Sequence, residues 1–187
     1  MYSIELLVEE HNNILRFNKV FRKVCTLVLR GEKVDTEDFR NMIDFVRNYA
    51  DKHHHGKEEQ ILFKEMQLHL GAIGNKLITN GMLVEHDLGR LFIAELETAV
   101  NQYEETPDEN NRLDIIANAI GYTKLLQRHI DKENDVVYTY AEKNLPKEVL
   151  EDVEMRAQIF EKEAEDKKTQ EYYLTRLEEW ETKYKNI

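Results

Sequence analysis

Four long segments of this chain carry apolar residues at three- and four-residue spacing, and each of the four stripes contains a histidine. The spacing is the repeat of one helix face. The first stripe is Ile4, Leu7, Val8, His11, Ile14, Phe21, Val24 and Val28, with Ser3 placed to cap it and Gly31 to end it. The second starts at Asp35 or Thr36 and runs through Phe39, Ile43, Val46, Ala50, His54, Glu58, Ile61 and Leu62 to about Leu70. The stretch GAIGN, residues 71–75, is expected to break the chain. The third stripe holds Ile78, Met82, Leu83, His86, Ile93, Leu96 and Val100. A polar loop, Glu104 to Asn111, precedes the fourth: Ile115, Ile116, Ala119, Tyr122, Leu126, His129, Glu133, Val136, Val137 and Tyr140.

With only 2 Pro and 7 Gly to interrupt them, these stripes predict long helices. The expected fold is all-α, an up-down-up-down four-helix bundle over residues 1–144. Leu145 and Pro146 mark a boundary. Residues 145–187 read as a C-terminal helical extension whose apolar residues, among them Val153, Phe160, Leu177 and Trp180, pack on the bundle or on a second copy in a homodimer.

The polar residues on the stripes carry the chemistry. A buried carboxylate is costly unless it is neutralised or paired with a cation. Here Glu58 and Glu133 each follow a histidine by four residues, which puts His54 with Glu58, and His129 with Glu133, on one helix face one turn apart. The order His, then His-x-x-x-Glu, occurs twice. Four imidazoles (His11, His54, His86, His129) and two carboxylates (Glu58, Glu133) suit two metal ions bridged by the carboxylates, and iron, manganese and zinc all accept such ligands. In the run His53, His54, His55 the apolar stripe selects His54, leaving His53 and His55 as flanking or surface residues, with a supporting role behind the ligands as the alternative for either. Glu59, Glu85 and Asp87 read first as exposed acids and second as groups that orient imidazoles; Tyr122 reads first as core with its hydroxyl satisfied and second as a gating or hydrogen-bonding group near the metals.

The formal charge of −11 argues against nucleic acid and against anionic membranes as partners. No stretch is long and apolar enough to span a bilayer, and the N-terminus lacks the features of a secretory signal. Cys25 is the only cysteine, so neither a disulfide nor a thiolate cluster forms within one chain. A cytoplasmic protein is expected.

The segments HHGKEEQILF (54–63), VEHDLGR (84–90), HIDKEN (129–134) and EEHNNI (9–14) together resemble the hemerythrin-like, or HHE cation-binding, family over residues 1–144. The resemblance implies a non-haem centre of two iron ions with a bridging oxo or hydroxo group, although the ligands alone leave zinc and manganese open. It implies His11 and His54 on one metal, His86 and His129 on the other, and Glu58 and Glu133 between them. The oxygen carriers of that family have a second third-helix histidine where this chain has Arg90, and an aspartate where it has Asn134. The chain is therefore closer to the microbial branch with four His and two Glu. The implied function is binding or sensing of a diatomic ligand, oxygen or nitric oxide. The alternatives are an oxidoreductase acting on nitric oxide or peroxide in stress defence or iron-centre repair, and a metal-stabilised structural or signalling module.

Overall fold

The computed structural model describes residues 2–187 and is all-α. Helix α1 is Tyr2–Leu29. It ends in a Schellman motif: Gly31 takes φ +90°, its N–H donates to the Val28 carbonyl, and the Glu32 N–H donates to that of Leu27. Helix α2 (36–69) starts where the Asp35 carboxylate accepts the Asp38 N–H at 3.1 Å, and it stops at Gly71, φ +59°. Helix α3 (71–105) follows almost at once, so residues 71–75 are its first turns and not a loop; the direction changes at Leu70 and Gly71 alone. The loop expected over Glu104 to Asn111 is shorter, because α3 runs to Glu105 and Asp108 caps α4 (109–144) by accepting the Asn111 N–H at 2.8 Å. Helices α5 (Lys147–Asp166) and α6 (Thr169–Lys183) follow. Ser3 does not cap α1; it lies within the helix, where its N–H donates to Glu154 of α5 at 3.1 Å.

Helices α1 to α4 form a closed antiparallel bundle in which each packs on the next and α4 returns to α1. Helices α5 and α6 cover the outer faces of α1 and α2 of the same chain. Two apolar clusters fill the molecule. One holds Phe17, Phe21, Phe45, Leu96, Ile115 and Trp180; the other holds Leu7, Phe63, Met66, Ile78, Val137 and Val153. In α1, α2 and α3 the stripe histidine falls between the helix's contributions to the two clusters, and in α4 Glu133 does, with His129 one turn before it. The polar residues therefore form one layer that cuts the core in two.

That layer is where the helices widen. Residues 46–55, 58–62, 78–82 and 133–137 make π-type turns, each with more residues than an ordinary turn. The widening moves the stripe by one residue. Val136, expected in the core, is 52% exposed, while Val137, Tyr138 and Ala141 are buried.

Cys25 is buried at 2% exposure, and desolvation pushes its thiol up to about 12. A thiol reagent at pH 8 should leave the folded protein unlabelled and add one label in denaturant, read by mass; rapid labelling of the native chain would contradict this packing.

Candidate metal centre

The layer brings all six predicted residues together, each at 1% exposure or less. His11, His54, Glu58 and Glu133 offer ligand atoms all within 4.8 Å of one another, and a second group is His55, Glu58, His86 and His129. Glu58 belongs to the second group as well as the first, and a Glu133 oxygen lies 3.1 Å from His129 Nε2 and 3.7 Å from His86 Nε2. The other Glu133 oxygen lies 3.1 Å from His11 Nε2.

His55 is a correction to the sequence reading. It is buried, and its ring stacks on that of His86 with centroids 3.7 Å apart. The wide turn of α2 lets two consecutive side chains, His54 and His55, reach the interior. His53 is buried too, for another reason: α5 and α6 cover the face of α2 that would otherwise meet solvent.

Five imidazoles share one hydrogen-bonding pattern. Nδ1–H of His54 donates to Glu10 (2.8 Å), that of His55 to Asp51 (3.2 Å), that of His86 to Glu59 (2.6 Å), that of His129 to Glu85 (3.0 Å), and that of His11 to the Asn134 amide oxygen (2.8 Å). An ionised carboxylate or an amide oxygen only accepts, so each Nδ1 carries a proton and each Nε2 is the nitrogen aimed inward. This is the arrangement that orients metal-ligating histidines. Glu59 and Glu85 therefore orient imidazoles, whereas Asp87 remains exposed at 77%. Arg90, which stands where the oxygen carriers have a histidine, binds Asp51 and Glu59 at the rim and so ties together the carboxylates that hold His55 and His86.

Whether the residues fit a cation can be judged from their unmet valences. His54 Nε2, His55 Nε2, Glu58 Oε2 and both Glu133 oxygens are buried with no well-formed hydrogen bond. Such orphaned atoms are expensive in a protein interior, and here they point at one volume. His86 Nε2 and His129 Nε2 face each other at 3.0 Å, a contact that two lone pairs tolerate only with a proton or a cation between them. The protein's own groups supply one proton: burial lowers His129, but Glu133 and Glu85 outweigh it and raise it to about 10. Burial, then the His11 ring, lowers His54 to about 3, and burial, then the His86 ring, holds His55 well below its ordinary range. Both are thus neutral, the form a metal needs. Burial and the nearby Glu133 push Glu58 far above the usual carboxylate range; Glu133, against its own burial, is held low by His129 and then His11. Two such carboxylates cannot both ionise in a dry core without added positive charge.

Tyr138 and Glu10 were not legible beforehand. The Tyr138 hydroxyl donates to Glu58 at 2.5 Å and its ring lies parallel to that of His11; an ordinary 3.6-residue repeat from Glu133 points it elsewhere. Glu10 precedes His11 and looks like one more surface acid in an acidic sequence. Beside His55, His86 and His129 lies a cavity of about 110 Å³, with Val46, Ile93, Tyr122 and Leu126 among its apolar walls and Arg47, Asp51, Glu85 and Arg90 among its charged ones. The Tyr122 hydroxyl, expected to be satisfied, is buried without a partner.

No helix among the described residues is long and apolar enough to cross a membrane. No curated protein and no solved structure matches the chain. The family model of the hemerythrin HHE cation binding domain matches residues 2–141, the whole of α1 to α3 and nearly all of α4. A cation-binding family is what the orphaned imidazole and carboxylate atoms call for, and with the match spanning the bundle that carries them, this chain belongs to the hemerythrin HHE cation-binding family.

Proposed function

We propose that this chain is a non-haem di-iron protein that binds or senses a small diatomic ligand, oxygen or nitric oxide. The observation that carries the reading is the convergence of five inward-facing imidazoles and two carboxylates on one buried volume beside a small, mainly apolar cavity. His11 and His54 would hold one iron, His55, His86 and His129 the other, with Glu58 and Glu133 between them. When bound, a ferrous pair supplies electrons and open coordination positions to the ligand. The chain's own residues do the rest. Glu10, Asp51, Glu59, Glu85 and Asn134 orient the rings, and the two apolar clusters keep bulk water out. A cavity of about 110 Å³ accommodates a diatomic molecule, whereas pockets for drug-sized organic ligands span roughly 300–1,000 Å³. The cavity lies beside His55, His86 and His129, whereas an iron held by His11 and His54 would have one imidazole fewer and so more open positions.

A second reading, reductive turnover of nitric oxide or peroxide, is favoured by the buried, unpartnered hydroxyl of Tyr122, a residue of the cavity wall with a hydrogen bond still to donate. Elemental analysis of anaerobically purified protein, then absorption on exposure to air, tests the di-iron reading. About two irons per chain and new near-ultraviolet bands are expected; zinc alone, or a single metal, would overturn it. Stoichiometric and reversible titration with oxygen or nitric oxide supports binding, and consumption of excess ligand with a reductant supports turnover.

A further inference from the structure

Glu10 is 1% exposed and sits directly before His11. One of its oxygens accepts from His54 Nδ1; the other accepts from His53 Nε2 at 2.9 Å and from the Lys57 ammonium. Lys57 is itself 3% exposed, and its second carboxylate partner is Glu161, which comes from α5. The far oxygen of Glu161 accepts the Gln170 amide of α6 at 2.6 Å, and the Phe160 ring packs beside the ammonium with its centroid at 5.8 Å. Glu10, His53 and Glu161 have the composition and closeness of a metal triad, but Lys57 already supplies the cation there.

A buried lysine needs its charge matched, and a buried charge left unmatched is strongly destabilising. Lys57 is matched by one carboxylate from the bundle and one from the C-terminal helices. The chain of contacts from His54 therefore runs His54, Glu10, Lys57, Glu161, Gln170 without a break, fully buried as far as Lys57 and half-buried at Glu161 and Gln170. The opposite side of the centre differs. Asp51, Glu59 and Glu85, which hold His55, His86 and His129, are 28%, 27% and 18% exposed and bind Arg90 or Lys132 of the bundle itself. One half of the site faces the cavity and a solvent rim; the other is joined to α5 and α6.

We infer that Glu161 and Lys57 are positioning residues of the metal centre, through which the C-terminal helices set the charge on Glu10 and hence the donor strength of His54. The inference rests on the two-metal reading above and extends the centre beyond the matched residues 2–141. A carboxylate accepting an imidazole N–H strengthens that imidazole as a ligand and favours the oxidised metal. Removing the negative charge of Glu161 leaves Lys57 to act on Glu10 alone and weakens this effect. Removing the positive charge of Lys57 does the reverse.

The test uses the full-length, metal-loaded protein. Metal content, midpoint potential and Co(II) affinity are measured for wild type, Glu161→Gln, Lys57→Gln and the charge-preserving Lys57→Arg. Glu161→Gln should keep both metals, raise the potential and weaken Co(II) binding at one of the two sites by up to about tenfold, the low end for groups that orient ligands. Lys57→Gln should move the potential the opposite way, and Lys57→Arg should restore the wild-type value. Opposite signs separate this role from a structural one, which would loosen the site in both variants. If Lys57→Gln fails to fold, Glu161→Gln against Lys57→Arg still decides. Wild-type potential and affinity in Glu161→Gln, or shifts of the same sign in both glutamine variants, would overturn the inference. A wild type that binds no metal refutes the two-metal reading and removes the inference with it; one that binds Co(II) but no iron refutes only the di-iron reading, and the affinities still decide.

Discussion

Alanine at Glu58 or at Glu133 is expected to abolish paired metal binding and, with it, the stability that metal confers. Both carboxylates are fully buried and present orphaned oxygens to the same volume. A cation bound there would offset a desolvation penalty of several kcal/mol per ion. Metal at a hundredfold excess over its dissociation constant contributes about 2.7 kcal/mol, which in a chain of this size is roughly 5–10 °C in Tm. Chelation should lower the wild-type melt by about that much and leave both variants unmoved. The chelated variants should also differ from each other. Glu58→Ala leaves the buried Tyr138 hydroxyl with only its longer contact to His11 Nε2 at 3.4 Å, a loss of up to about 1–3 kcal/mol, while Glu133→Ala leaves the bond to Glu58 in place. Melting curves with and without chelator, alongside elemental analysis, decide the point. Two metals and a chelator-sensitive melt in either variant would remove that carboxylate from the site.

His55→Ala should lose the metal on its side of the pair, or weaken it by at least about 10–100-fold, while His53→Ala keeps both metals. The two residues are neighbours of one type, and both are buried. They differ in where the ring nitrogens point. His55 gives Nδ1 to Asp51 and leaves Nε2 bare toward His86 and His129; His53 gives Nε2 to Glu10. Metal stoichiometry and the absorption of the loaded protein separate them. Equal metal content in both variants would return the ligand set to four imidazoles. The prediction also explains Arg90. With His55 supplied from α2, the third imidazole on that side need not come from α3, and Arg90 is left to brace the carboxylates that orient His55 and His86.

The bundle and the polar layer were legible in the sequence because burial leaves a period. A helix that packs one face must place apolar residues every three or four positions, and a histidine or glutamate on that face is conspicuous because exposure cannot explain it. His11, His54, Glu58, His86, His129 and Glu133 stood out on that ground, and the structure brings them together. The same rule failed where its assumption failed. In the widened turns at 46–55 and 133–137 the period is no longer 3.6 residues, so His55 and Tyr138 moved inward and Val136 moved out. Serine at position 3 looked like a cap because the pattern alone does not show where the chain begins to be helical.

What the sequence determined by itself was six of the inward-facing polar residues and the helices that carry them, since both follow from contacts a few residues apart. What only the tertiary structure decided was which groups orient the ligands and what encloses them. Glu10 meets His54 from another helix, Glu161 meets Lys57 from more than a hundred residues away, and the cavity exists only where α2, α3 and α4 face one another. Such groups are single charges in an acidic chain, without period or neighbour to mark them. Their role comes from burial between elements, which turns a weak, water-screened charge into one that must be matched.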